Sequence, residues 1–193
     1  MKIGILPTIR EPYKKQFELS CDKNLFKFFN FVFKKKIEFR IIYAESEIKD
    51  IDFLVISGGN DIFKKNMADK LRFNLSKKII LKSISLKKKI FGICYGAQII
   101  AKLFGSKFVK KKDISKEHFI TLVSMKKKIK VNSFHNYEIV KINKKFSFIA
   151  INENKYVESF YSKKLKILCV MWHPERYTKF KNFDKKLIFK YLK

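Results

Sequence analysis

The segment Gly92-Ile93-Cys94-Tyr95-Gly96 separates an apolar run from a helical pattern, which is where a nucleophile elbow would stand. At such an elbow the strand-to-helix turn holds the central residue in a strained backbone conformation that only small neighbours tolerate, and Gly92 and Gly96 are small. The turn lifts the Cys94 sulfur clear of the sheet and over a helix N-terminus, whose partial positive charge favours the nucleophilic thiolate. A lone Cys after an apolar strand is more often a small buried hydrophobe. Here the flanking glycines and a base downstream weigh against that reading.

The base is His173 in Met171-Trp172-His173-Pro174-Glu175, at the end of the apolar run 167–171, where a loop can reach the elbow. Glu175 can orient the imidazole, and Pro174 fixes the angle between the two side chains. Cys, His and acid in these roles perform acyl transfer. The imidazole takes the thiol proton and later protonates a leaving amine, while the carboxylate holds the tautomer. Two N–H donors must meet the oxyanion, and the pair in reach is the Tyr95 amide and an amide of Gly58-Gly59, a pair that as a bare sequence also reads as a tight turn. Of the other histidines, His118 sits in a polar stretch and reads as a surface residue, whereas His135 lies in Asn132-Ser133-Phe134-His135-Asn136 beside a pocket loop.

The elements that must position these groups follow from the pattern of apolar runs. Strand-like runs at 2–6, 39–43, 53–56 and 90–93 alternate with helical patterns at 22–33, 67–86 and 97–104, which predicts a mostly parallel α/β sheet. Runs at 119–123, 127–131, 137–142, 148–152, 157–161 and 167–171 read as short strands of a partly antiparallel extension, and a last helix is expected at 184–192. A single domain over 1–193 is expected, since one core serves a chain of that length.

Composition narrows the partners. The hydrophobic fraction of 47% supports a packed core. The formal charge of +28 would suit nucleic acid, but only four of the 45 basic residues are Arg, the residue that reads phosphates and bases bidentately. Abundant Lys, Phe, Ile and Asn are what A+T-rich codons produce, and the Lys runs at 34–36, 87–89, 110–112 and 126–128 read as solvated turns and strand ends. Nucleic acid is therefore not the expected partner. Cys21, Cys94 and Cys169 are odd in number and lack paired metal spacing, so neither a disulfide framework nor a metal site is expected, and a reducing cytoplasm fits. The N-terminal run is too short for a signal sequence, and no apolar run is long enough to span a bilayer.

Taken in order, Ser57-Gly58-Gly59, Gly92-Ile93-Cys94-Tyr95-Gly96-Ala97-Gln98 and Trp172-His173-Pro174-Glu175 resemble the class I glutamine amidotransferase superfamily over nearly the whole chain. The resemblance implies a flavodoxin-like three-layer sandwich with a mostly parallel central sheet and a small antiparallel extension. Gly59-Asn60-Asp61, Val131-Asn132-Ser133-Phe134-His135 and Val157-Glu158 look more like the stand-alone γ-glutamyl hydrolase branch than ammonia-channelling synthetase components. The ending Val170-Met171-Trp172-His173, with Glu175-Arg176 after it, resembles most the hydrolases of γ-glutamyl-CDP-amidate in capsular phosphoramidate synthesis.

That resemblance implies catalytic roles for Cys94, His173 and Glu175, an oxyanion hole from Gly59 and Tyr95, and a substrate-binding set of Gly58, Asn60, Gln98, Ser133, Phe134 and His135 around a γ-glutamyl substrate, with no cofactor. Two departures are visible. Tyr95 stands where many stand-alone hydrolases have Arg, and Asn154-Lys155 replaces the usual Asp-Gly before Glu158. A diphosphate leaving group would be steered by a cationic face, to which Arg10 and Arg176 belong. The competing readings are a γ-glutamyl-γ-aminobutyrate hydrolase, a glutaminase feeding ammonia to a separate synthetase, and a basic scaffold that binds RNA or an acidic protein. Oligomeric state is not legible in the sequence.

Overall fold

A computed structural model describes residues 1–111 and 117–192. In chain order, β1 (Lys2–Leu6) leads into the hairpin β2 (Thr8–Tyr13) and β3 (Gln16–Ser20), then α1 (Lys23–Phe33), β4 (Glu38–Ile41) and β5 (Phe53–Ile56). Next come α2 (Met67–Ser85), β6 (Lys89–Ile93), α3 (Tyr95–Leu103), β7 (Lys107–Lys110), β8 (Glu117–Leu122) and β9 (Lys127–Asn132). β10 (Tyr137–Lys141), β11 (Ser147–Asn152), β12 (Val157–Ser162), β13 (Ile167–Val170) and α4 (Asn182–Leu192) complete it.

Strands β4, β1, β5, β6 and β13 pair parallel in that order, and β13 then pairs antiparallel with β12, which leads through β11 to β8 and β9. Of the parallel strands, β1, β5, β6 and β13 are buried on both faces, as near-continuous apolar runs require, and β4 forms the edge. Their side chains alternate between two layers. Leu54 and Ile56 of β5 pack with Ile79 and Ile80 of α2 and Ile99 and Ile100 of α3. Phe53 and Val55 pack with Phe28, Phe29 and Val32 of α1 and Leu187 and Ile188 of α4. The chain therefore has the three-layer α/β fold expected, with β6 and β13 side by side at the centre, so the two segments bearing Cys94 and His173 leave the same end of neighbouring strands.

The hairpin of β2 and β3 was not expected. It stands apart from the main sheet, exposes Tyr13, Phe17 and Leu19, and is tied to the glycine turn. The Lys runs lie at turns and strand ends as anticipated, and Lys112 lies outside the described residues.

Candidate active site

The elbow is built as its glycines require. Cys94, the N-cap of α3, has φ 49° and ψ −99°, a conformation rare for a residue with a side chain. A Cβ on Gly96 would lie 2.4 Å from the Ile56 carbonyl oxygen, and one on Gly92 would lie 2.8 Å from the Gly96 carbonyl carbon. A larger residue at 96 would push the turn off β5, and one at 92 would push it off the first turn of α3.

His173 follows β13 and lines the same cleft as Cys94, whose charge acts on its ring. Its Nδ1 lies 2.6 Å from Glu175 Oε1, so the proton on Nδ1 goes to the carboxylate and Nε2 is left for the sulfur. Burial works against a charge on this ring, but Cys94 and Glu175 outweigh it and raise its pKa to about 9. Asn132 brackets the His173 backbone, its Oδ1 accepting the His173 N–H at 2.7 Å and its Nδ2 donating to the His173 carbonyl at 2.8 Å. A Cβ on Gly58 would come within 2.2 Å of His173 Cε1, so the glycine at that position makes room for the imidazole and is more than a tight turn.

Arg72 of α2 holds the glycine turn from below, a role that the sequence reading missed. Its guanidinium is fully buried; one terminal nitrogen donates to the Gly58 carbonyl at 2.8 Å, the other to the Ser57 carbonyl at 2.7 Å and to Ser57 Oγ at 3.0 Å. Thr8 Oγ1 donates to the same Gly58 carbonyl at 2.9 Å. Because a trans peptide is planar, anchoring the Gly58 carbonyl aims the Gly59 N–H the opposite way, away from Arg72. Gly59 has φ +92° and lines a cleft of about 140 Å³ together with Cys94, Gln98, Phe134, His135 and His173. Among the described residues no acceptor takes the N–H of Gly59 or of Tyr95.

Tyr95 contributes a side chain as well as an amide. Its ring lies under the Arg72 guanidinium at 4.0 Å, and its hydroxyl meets Ser76 Oγ at 3.3 Å. Burial lowers the Arg72 pKa to about 10, which still leaves it a cation at neutral pH, beneath the place where an oxyanion would form.

The other expected substrate residues divide. Gln98 donates to the Tyr137 carbonyl at 2.9 Å and lines the cleft. Phe134 is exposed, sets its ring edge-on against His173 at 5.4 Å and carries Arg176 at 4.9 Å. Asn60 spends its amide internally, exchanging hydrogen bonds with the Ile9 backbone and reaching Asp69 and Arg72. Ser133 is buried, accepts from Lys111 Nζ at 2.7 Å and is absent from the cleft lining. A second hollow of about 180 Å³, walled by Thr8, Arg10, Glu175 and Arg176, shares Gly59 with the first. His118 is a correction: it is no surface residue, but has a side chain only 17% exposed, 3.1 Å from Glu158.

The family model described as glutamine amidotransferase class I matches residues 24–193. A γ-glutamyl-CDP-amidate hydrolase of Campylobacter jejuni is 32% identical over 128 residues, covering 65% of this chain and 63% of that protein, so the match spans under two thirds of the relative. One glutamine-hydrolysing GMP synthase subunit, from Sulfolobus acidocaldarius, is 32% identical over 155 residues, 72% of this chain and 78% of its own. A crystal structure described as that of a GMP synthase subunit from Thermoplasma acidophilum superposes with TM-score 0.74 at 20% identity, covering 100% of this chain and 92% of that one, and supports the fold.

Proposed function

The chain belongs to the class I glutamine amidotransferase family, whose members hydrolyse amides, and from that premise we propose that it cleaves a γ-glutamyl amide through a thioester on Cys94. The observation that carries the proposal is the convergence of Cys94, His173 and Glu175 beside two N–H donors that no acceptor among the described residues takes. Cys94 passes its proton to His173 Nε2, which holds it until about pH 9, and the sulfur of that ion pair attacks the γ-carbonyl carbon. The tetrahedral oxyanion is met by the Gly59 and Tyr95 amides, with the Arg72 charge behind them. His173 returns the proton to the leaving nitrogen as the C–N bond breaks, which leaves the γ-glutamyl thioester. Water, deprotonated by His173, then displaces the sulfur and releases glutamate.

The 140 Å³ cleft suits an amino-acid-sized acyl group, whereas drug-sized ligands fill roughly 300 to 1,000 Å³. A nucleotide leaving group would lie outside it, toward Arg176 and Arg10 at the rim of the second hollow. Together with the Campylobacter relative, this favours γ-glutamyl-CDP-amidate as substrate and cytidine diphosphoramidate as product, in capsule synthesis in a reducing cytoplasm. The GMP synthase relatives favour a second reading, a glutaminase that serves a separate synthetase. No helix is long and apolar enough to cross a membrane.

The test is glutamate release from γ-glutamyl-CDP-amidate, γ-glutamyl-γ-aminobutyrate and glutamine side by side, with Cys94→Ala as control. Release from the nucleotide substrate alone, absent in the variant, is expected. Turnover of glutamine alone would establish the ammonia-supplying reading, and release that survives in Cys94→Ala would overturn both.

A further inference from the structure

Behind the wall of the catalytic cleft, β8, β12 and the loop after β9 bring His118, Glu158 and His135 together. One ligand atom from each lies within 4.8 Å of the others; His118 Nε2 is 3.1 Å and His135 Nε2 3.8 Å from Glu158 Oε1. Glu158 is 1% and His135 2% exposed.

The cluster is short of a cation. His135 Nδ1 lies 3.1 Å from the Tyr137 carbonyl, which can only accept, so the proton sits on Nδ1 and the Nε2 lone pair points at a carboxylate oxygen. Two acceptors facing each other away from water repel unless a positive charge stands between them. The contact between His118 and Glu158 lacks the alignment of a hydrogen bond. Both nitrogens of His118, His135 Nε2 and Glu158 Oε2 are buried without a hydrogen-bond partner among the described residues. A carbonyl behind one imidazole is also what fixes a ligating histidine in metal sites, since it selects the tautomer whose free nitrogen faces the ion.

We propose that His118, His135 and Glu158 bind a divalent transition-metal ion of the zinc class, a site that pins the 132–137 wall of the catalytic cleft to β8 and β12. Ligands about 2.1 Å from a tetrahedral ion stand roughly 3.4 Å apart, against 3.1 and 3.8 Å from the two imidazoles to Glu158 and at most 4.8 Å between any two of the three, so a small closing of the cluster would seat the ion. Two imidazoles and one carboxylate suit zinc, and cobalt and nickel as substitutes. Around them, Asn152 Nδ2 donates to Glu158 Oε1 at 3.3 Å and to Glu138 Oε1 at 2.9 Å, which steadies the ligand carboxylate and sets a second acid nearby. A cleft of about 650 Å³ lined by His118, Glu138 and Asn152 opens beside the cluster, on the side from which an ion and a water ligand would approach. Lys111, the neighbouring cation, is turned to Ser133. The proposal does not depend on the reaction at Cys94.

The test uses the untagged full chain, stripped with a chelator and titrated with Zn(II) or Co(II). One equivalent is expected to bind, to raise the melting temperature and, for Co(II), to give the visible absorption of a tetrahedral nitrogen–oxygen site. His118→Asn, at the rim where a smaller amide is accommodated, and Glu158→Gln are expected to bind at least about 10-fold more weakly, while Cys94→Ala binds as the parent does. Zinc absorption-edge spectroscopy of the unaltered protein provides a reading free of any variant, with two imidazoles, oxygen and no sulfur expected. Lack of stoichiometric binding, a sulfur ligand, or loss of the metal in Cys94→Ala but not in His118→Asn would overturn the proposal.

Discussion

Two clusters of imidazole and carboxylate lie on either side of the loop 132–137, and they differ in how their polar atoms are used. At His173 the 2.6 Å contact to Glu175 employs Nδ1, Nε2 is turned to the cleft that Cys94 lines, Asn132 fixes the backbone, and one buried oxygen, Glu175 Oε2, has no hydrogen-bond partner among the described residues. At His118, His135 and Glu158, the distances are longer and four nitrogen or oxygen atoms have no hydrogen-bond partner among the described residues. The first arrangement is preorganised for proton transfer, where alignment matters most; the second has ligand atoms that converge on a space rather than on one another. Geometry of the unpaired atoms, more than residue type, tells the two apart.

Matched substitutions sharpen that contrast. Glu175→Gln should lower kcat by about 10³- to 10⁴-fold, because the amide no longer stabilises the imidazolium or selects its tautomer, while the melting temperature measured beside it changes little. Gly58→Ala should cost about 10²-fold or more in kcat/KM, since its methyl occupies the place of the imidazole and displaces it by roughly an ångström. Arg72→Met should lower kcat about 10- to 100-fold and also destabilise the fold, because it removes the anchor of the Ser57 and Gly58 carbonyls and strands both; Arg72→Lys should restore only part, having no fork.

The pH profile follows from the raised pKa of His173. An ordinary imidazole loses its proton near 6.5, whereas this one keeps it until about pH 9, so the rate should hold up to that pH and then fall about tenfold per unit as the proton for the leaving nitrogen is lost. The stability contributed by the charged ring is complete below about 6.5 and is lost as pH rises through about 9. In Glu175→Gln the alkaline limb should move to lower pH. The smallest effect is expected from Glu158→Gln, with a change in kcat of less than about 10-fold, because Glu158 touches His135 and no atom of the Cys94, His173 and Glu175 group. A loss as large as that of Glu175→Gln would erase the distinction between the clusters.

Much of this was legible in the sequence, for physical reasons. The parallel strands announce themselves because burial on both faces demands unbroken apolar runs, and the elbow because β5 leaves room only for glycine at 96 and the first turn of α3 only for glycine at 92. Arg72 was hidden because one basic residue in a Lys-rich helix looks solvated, and only tertiary contacts reveal a buried guanidinium. The hairpin of β2 and β3 was hidden because Arg10-Glu11-Pro12-Tyr13 is polar and stays exposed. His118 carried a usable signal that starting the strand at 119 discarded. In β8, residues 118, 120 and 122 share one face, so His118 belongs with Ile120 and Leu122 and points inward.

The central claim is the covalent intermediate, and intact-protein mass spectrometry after acid quench within the first turnover tests it most directly. Mixing enzyme with excess γ-glutamyl-CDP-amidate should give a transient species heavier by one γ-glutamyl group, mapped to Cys94 and absent from Cys94→Ala. Substrate consumption at full rate with no adduct at any quench time, or an adduct that persists in Cys94→Ala, would contradict the account.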